Sequence, residues 1–189
     1  MNMTVTSRRP LLRRPLTWIV LGVGVVLLVA ALLVFEPWKL IVNETVNEAA
    51  PSAGPVSAAA VPGAPATTAA PTVLARGTLI SHEHPTTGAV QILGLPDGSR
   101  VLRLENLDTT NGPALHVWLA DAPVLPGEDG WHVFDDGRYV DLGDLKGHRG
   151  SANYPLPAGL DLAQYRSVTI WCERFNVSFG AAALNAVAG

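Results

Sequence analysis

One cysteine in 189 residues, Cys172, excludes an intramolecular disulfide. Four roles are left for its thiol: a packed small hydrophobe, a metal ligand, a link to a partner, or a redox group. Methionine is nearly as scarce, since the two in the chain are Met1 and Met3, so the region around Cys172 has none to serve as an axial copper ligand. No nucleophile elbow, phosphate loop or paired-carboxylate spacing occurs, which removes the common hydrolytic classes. From Val73 onward, eight lysines and arginines face thirteen acids, a formal charge of −5 against −3 for the whole chain, with no basic stripe. That balance argues against nucleic acid and against docking on an anionic membrane surface.

Charge is absent from two stretches, with opposite meanings. Leu16 to Phe35 is an uncharged apolar run of 20 residues. At ~1.5 Å per residue in a helix it spans a hydrocarbon core of ~30 Å, which predicts a transmembrane helix. Arg8, Arg9, Arg13 and Arg14 precede it and only Lys39 follows closely, so residues 1–15 read as a cytoplasmic basic tail and the rest as extracytoplasmic. Trp18 and Trp38 fall at interfacial positions. A secretory signal peptide is the competing reading, with Val29-Ala30-Ala31 resembling part of a cleavage site, but its apolar region usually runs ~7–15 residues, which favours an uncleaved signal-anchor. Residues 36–48 then form a juxtamembrane segment. The second uncharged stretch, Ala50 to Thr72, holds only Ala, Pro, Ser, Thr, Gly and Val, with prolines at 51, 55, 62, 65 and 71. It predicts a disordered linker over 49–72, with a reach between ~25 Å as a coil and ~70 Å extended. Asn43-Glu44-Thr45 and Asn176-Val177-Ser178 match the N-glycosylation pattern.

Residues 73–189 make one domain of 117 residues, large enough to bury a core without disulfides. Short runs rich in Val, Ile, Leu, Thr and aromatics recur between Gly, Pro, Asp and Asn clusters, and no long helical period appears. Strands are expected near Ala75 to Ser81, Gly88 to Leu93, Arg100 to Asn106, Leu115 to Ala120, Trp131 to Phe134, Tyr139 to Leu142, Ala152 to Leu156, Ser167 to Cys172 and Phe175 to Phe179. Pro96-Asp97-Gly98-Ser99 reads as a hairpin turn and Asp161 to Tyr165 as one helical turn. About eight or nine strands at this spacing predict an all-β fold, an antiparallel sandwich or barrel. Alternation puts Val168, Ile170 and Cys172 on the core face and Ser167, Thr169 and Trp171 on the other. Glu173-Arg174 then reads as a tight polar connection, after which Phe175, Val177 and Phe179 resume the apolar period.

The order of several motifs resembles the DM-thirteen, or electron-transfer, domain family over Leu74 to Leu184. They are His84 followed by Thr87-Gly88; Asn111-Gly112-Pro113 leading into Leu115-His116-Val117-Trp118-Leu119; Leu145-Lys146-Gly147 with Gly150; Asn153-Tyr154-Pro155-Leu156-Pro157; and Tyr165, Val168, Ile170-Trp171-Cys172 and Phe175 through Ala181. The resemblance implies a small β-rich extracytoplasmic module with a characteristic cysteine and a proposed redox activity of unspecified substrate. Ala114 departs from the acidic residue often seen after Gly-Pro, and His148 stands where a small polar residue is commoner.

Chemistry around Cys172 needs a thiolate, and positive charge from Lys146 or Arg174 would favour it, whereas Glu173 opposes it. Cys172 is thus the redox candidate, with Lys146 and Tyr154 beside it. An aromatic ring and an amide near a sheet rim, Tyr154 and Asn153, can bind sugars or small ligands or, through the phenol, donate electrons; in the alternative, structural role the Tyr154 hydroxyl closes a corner hydrogen bond. His84 and Cys172 are the metal candidates, because a Cys with two His is a copper-type set. His82 and His84 share a face if their segment stays extended, but Pro85 argues that the strand ends there. His116 is expected to point away from the core with Trp118, while His132 and His148 read as loop residues. Asn111-Gly112-Pro113 reads as backbone chemistry, with Gly112 supplying positive φ. Trp118, Trp131 and Trp171 are either core or an outward patch that would mark a partner surface. The cofactor stays open between copper and a haem-bearing partner. The function expected is thiol-based redox or electron transfer with an envelope redox protein. The alternative is a non-catalytic binding or adhesion module in which Cys172 is packed.

Overall fold

The computed structural model of the chain describes residues 15–35, 44–52 and 70–187. The described residues fall into two compact units, one within 1–41 and the other within 42–189. In the first, α1 covers Pro15–Phe35, 21 residues with no acid in its first turn and no base in its last. Its side chains are described from residue 18 to residue 30, and among the described residues no helix is long and apolar enough to cross a membrane. The expected membrane span, its orientation and the signal-anchor reading therefore rest on the sequence. Residues 1–14 of the expected basic tail, 36–43 of the juxtamembrane segment and 53–69 of the expected linker lie outside the described residues.

The second unit is a β-sandwich with more strands than expected. Its strands are β1 Thr45–Asn47, β2 Thr72–Thr78, β3 Ile80–Ser81, β4 Thr87–Gly94, β5 Arg100–Asp108, β6 Leu115–Ala120, β7 Tyr139–Asp144, β8 Arg149–Pro155, β9 Ser167–Cys172, β10 Val177–Ala183 and β11 Asn185–Ala186. One sheet has six strands in the order β1-β8-β5-β4-β2-β11, the other five in the order β3-β10-β9-β6-β7. All pairs are antiparallel except β1 with β8, so the sandwich is mixed rather than purely antiparallel. The β4–β5 hairpin turns where Pro96-Asp97-Gly98-Ser99 predicts: Gly98 takes φ 84°, and the amides of Gly98 and Leu95 bond to Leu95 and Ser99 carbonyls at 2.9 and 2.8 Å. The turn at Leu162–Gln164 is also present, with Asp161 capping the Ala163 amide.

Val90, Ile92, Leu102, Leu104 and Tyr154 from the first sheet meet Val117, Leu119, Val168, Ile170 and Cys172 from the second in one buried core. Each fully buried aliphatic chain contributes about 1.5–3 kcal/mol, enough in sum to dispense with disulfides. The expected alternation in β9 holds, with Val168, Ile170 and Cys172 on this core. All six β9 residues are nevertheless buried. The reason is the β6–β7 connection, residues 121–138, which folds over the outer face and forms a second cluster of Trp118, Ala120, Ala122, Phe134, Trp171 and Ala181. Polar side chains on that face are bonded as burial requires: Ser167 Oγ donates to Ala122 O at 2.7 Å, and Thr169 Oγ1 meets Ser178 Oγ at 2.7 Å.

Four expectations are corrected. Trp131 to Phe134 is not a strand but part of that covering connection, following a 3-10 turn at Glu128–Gly130. The run from Ala75 to Ser81 splits into β2 and β3, which belong to different sheets. Phe175 does not continue the apolar period: it is 63% exposed, because the turn uses Asn176 at φ 50° and resets the face before Val177. Finally, the domain takes in chain ahead of Val73. Val46 lies opposite Gly150 in the β1–β8 pair, and Glu48 N donates to Ser151 O at 2.8 Å, so the segment read as juxtamembrane supplies an edge strand.

Candidate functional site

Cys172 closes β9 with its side chain inward, fully buried and unpaired. Its Sγ–H donates to Pro113 O at 3.2 Å, and next along the chain Glu173 N donates to Ala114 O at 3.0 Å. The segment 112–114 is thus fastened over the sulfur at the start of β6, where Leu115 pairs with Cys172. The positive φ in this segment belongs to Ala114, at 53°, not to Gly112 as the sequence suggested. A non-glycine residue in that region costs about 1–2 kcal/mol, which the two bonds to β9 offset. Gly112 is required for space instead: a Cβ there would stand 2.6 Å from Phe179 Cζ and 2.8 Å from Cε2.

The other candidates have partners of their own. His84 packs against Phe179 with the rings tilted by 41° and their centroids 3.9 Å apart, and lies 2.9 Å from Glu83. His82 is buried, with Nε2 3.1 Å from Leu125 O and Nδ1 2.8 Å from Ser178 Oγ. The carbonyl accepts, so Nε2 carries the proton and Nδ1 receives the Ser178 hydroxyl. Burial holds this imidazole below its usual range, partly countered by the Leu125 carbonyl. The two histidines therefore do not share a ligand role. Among the described residues no group of three or more His, Cys, Asp and Glu is placed to hold a metal, so a copper set built on His84 and Cys172 lacks its remaining ligands.

Lys146 joins a different cluster. Its Nζ donates to Glu48 Oε1 at 2.8 Å and Asn153 O at 2.7 Å, and stands 5.2 Å over the Tyr154 ring. The Lys146 hydrogen bond, the largest cause, holds the Glu48 carboxyl below its ordinary range. Tyr154 is buried, and its hydroxyl accepts from Lys146 N at 2.9 Å, the corner bond anticipated as one of its two roles. Burial raises its phenol to about 12. Asn153 is occupied too: its amide donates to Ala49 O at 2.9 Å and its Oδ1 accepts from Arg103 at 2.9 Å. The partners of Lys146 and Tyr154 are thus one another and the chain just before the linker, rather than the sulfur.

Two features escaped the sequence. His116 does point outward, and it is ringed by acids: Nδ1 lies 3.0 Å from Asp141, and Nε2 3.5 Å from both Asp144 and Glu173. Beside it, aromatic rings cross three strands on the outer face. Tyr139 of β7 stacks on Trp118 of β6 at 4.0 Å and 8°, and Trp118 stacks on Trp171 of β9 at 4.9 Å and 24°. Tyr139 is 45% exposed, while Trp118 and Trp171 are buried, with no acceptor for either indole N–H. Outward alternation at Trp118 and Trp171 was the available signal; the partner Tyr139 needed the strand register.

No curated protein and no solved structure matches the chain. A family model described as electron transfer DM13 matches residues 78–184, a span that holds the sulfur, its cover and the aromatic stack. The chain therefore belongs to the DM13 electron-transfer family.

Proposed function

We propose that the chain is a membrane-tethered extracytoplasmic module that exchanges single electrons with an envelope redox partner, with the Cys172 thiol as its redox group. The observation that carries this reading is the isolation of the sulfur, fully buried and bonded to Pro113 O beneath the 112–114 segment. Disulfide exchange and stepwise oxidation to sulfenic acid both need an accessible thiolate, so that cover suppresses them and leaves one-electron oxidation by a partner's metal centre. The sulfur then gives one electron to that centre and one proton to water admitted as the cover opens. Anchoring is supported by the uncharged run in α1 and the four arginines before it. Replacing Cys172 by Ser should abolish the sulfur-centred radical that a one-electron acceptor produces in the wild type while leaving the fold intact; a wild type that yields no sulfur-centred radical ends the thiol reading.

Packing of Cys172 with Val168 and Ile170 in the main core favours a second reading, a binding or adhesion module. It requires a thiol that resists alkylation until denaturation, and a partner captured equally well by the Ser variant.

A further inference from the structure

We propose that the Tyr139–Trp118–Trp171 stack is a conduit for single electrons, opening at Tyr139 onto an acidic face that docks a cationic one-electron carrier. This rests on the electron-transfer reading but not on the thiol. The rings are in face-to-face contact at 4.0 and 4.9 Å, the geometry in which π orbitals of neighbouring rings overlap. They lead from an exposed phenol to Trp171, the residue before Cys172.

The ends of the stack differ in what they do with a proton. A one-electron oxidant in the partner takes one electron from the stack and is itself reduced by one unit. On Trp118 or Trp171 the resulting hole is an indole radical cation that keeps its N–H proton, because neither N–H has an acceptor. It can therefore pass on as charge alone. On exposed Tyr139 the hole becomes a neutral phenoxyl radical, with its proton released to water, so Tyr139 is where it rests.

The opening also has a sign. Asp141 lies two residues along β7 from Tyr139, and with Asp144 and Glu173 it surrounds His116, one strand position pair away from Trp118. Asp144 is 92% and Glu173 61% exposed, so these carboxylates face solvent and a positively charged partner. Charges arranged this way steer encounter and lose their pull in salt.

The test uses the full chain in detergent micelles with tris(bipyridine)ruthenium(II) as a cationic photo-oxidant and pentaamminechlorocobalt(III) as its electron acceptor. Flash photolysis followed by freeze-quench electron paramagnetic resonance should give a phenoxyl radical. Tyr139→Phe should remove that signal and leave an indole radical cation in its place. Raising the salt should cut the radical yield per flash on the order of tenfold, and Asp141→Asn with Asp144→Asn should weaken the salt effect. A phenoxyl that persists in Tyr139→Phe, or a yield indifferent to salt, overturns the proposal. Cys172→Ser should give the wild-type radical, which separates the two readings. A sulfur-centred radical in wild type with none at Tyr139 would sink the conduit alone, and a Tyr139 radical with no sulfur-centred one the thiol alone.

Discussion

Placing a methyl group at position 112 tests whether the segment over Cys172 is a lid. In Gly112→Ala the new Cβ would lie 2.6 Å from Phe179 Cζ and 3.2 Å from Leu115 Cδ2. Phe179 is a buried ring, only 2% exposed, packed in the main core, so it has little room to yield. The 112–114 segment has fewer ties, chiefly the bonds to the Cys172 sulfur and the Glu173 amide, and should lift instead. Overpacking of this kind costs about 1–3 kcal/mol. If that cost falls on the closed lid alone, the open population and the native alkylation rate of Cys172 rise about 5- to 150-fold. The assay is alkylation by a small maleimide at native pH, followed by mass spectrometry, beside a urea titration that reads global stability. A lowered urea midpoint with no gain in alkylation would refute the lid, as would wild-type labelling at the rate of a free thiol.

Tyr154→Phe removes the acceptor of the Lys146 amide and should cost about 1–3 kcal/mol in urea unfolding. The phenol titrates at about 12 in the fold against 10.0 ordinarily, so the unfolded chain loses its proton first; stability should fall from pH 10 toward 12, by about 2–3 kcal/mol, and Tyr154→Phe should lack that loss. Burial holds His82 below its ordinary value of 6.5, so the unfolded chain binds the extra proton first, and stability present above that pH should decline as pH drops beneath it. His148 shares this direction, so the check is the difference in acid sensitivity between wild type and His82→Asn, read by Trp fluorescence. Glu48 is depressed below 4.5, and its contribution, complete above that value, should vanish on further acidification; β1 amides should then exchange faster with deuterium, corrected for intrinsic rates, and Glu48→Gln should flatten this response.

Much of the sandwich was legible because alternation is a local property. In β9 the period of two puts Cys172 inward with Ile170 and Trp171 outward, and the structure agrees. Alternation names the face but not what covers it. The burial of Trp171 depends on the connection 121–138, whose Gly, Asp and Pro content gives no periodic signal. β1 was invisible for a related reason: Thr45-Val46-Asn47 is too short to show a period, and it pairs with chain more than a hundred residues away, Val46 opposite Gly150, with Asn153 N donating to Glu48 just past the strand at 2.7 Å. Gly112 shows a third limit. A glycine before proline suggests a turn, and only the Phe179 ring reveals that the absent side chain is the point.

The aromatic stack was out of reach because it is built on diagonals. Tyr139 lies opposite Ala120, and Trp118 opposite Asp141 and Thr169, so neither stacked pair is directly cross-strand. Diagonal neighbours about 7–8 Å apart at the backbone come within reach only of large side chains, and they are fixed by register, which the sequence does not contain. The same register brings His116 opposite Trp171 and Asp144, and sets Asp141, two residues from the exposed phenol, against the His116 ring. A slip of one residue in β7 would turn Tyr139 into the core and Val140 out, breaking the stack and the acidic rim together. The two features therefore depend on a single pairing, and a variant that disturbs the β6–β7 register should lose the Tyr139 radical and its salt dependence together, leaving the bond from Cys172 to Pro113 in place.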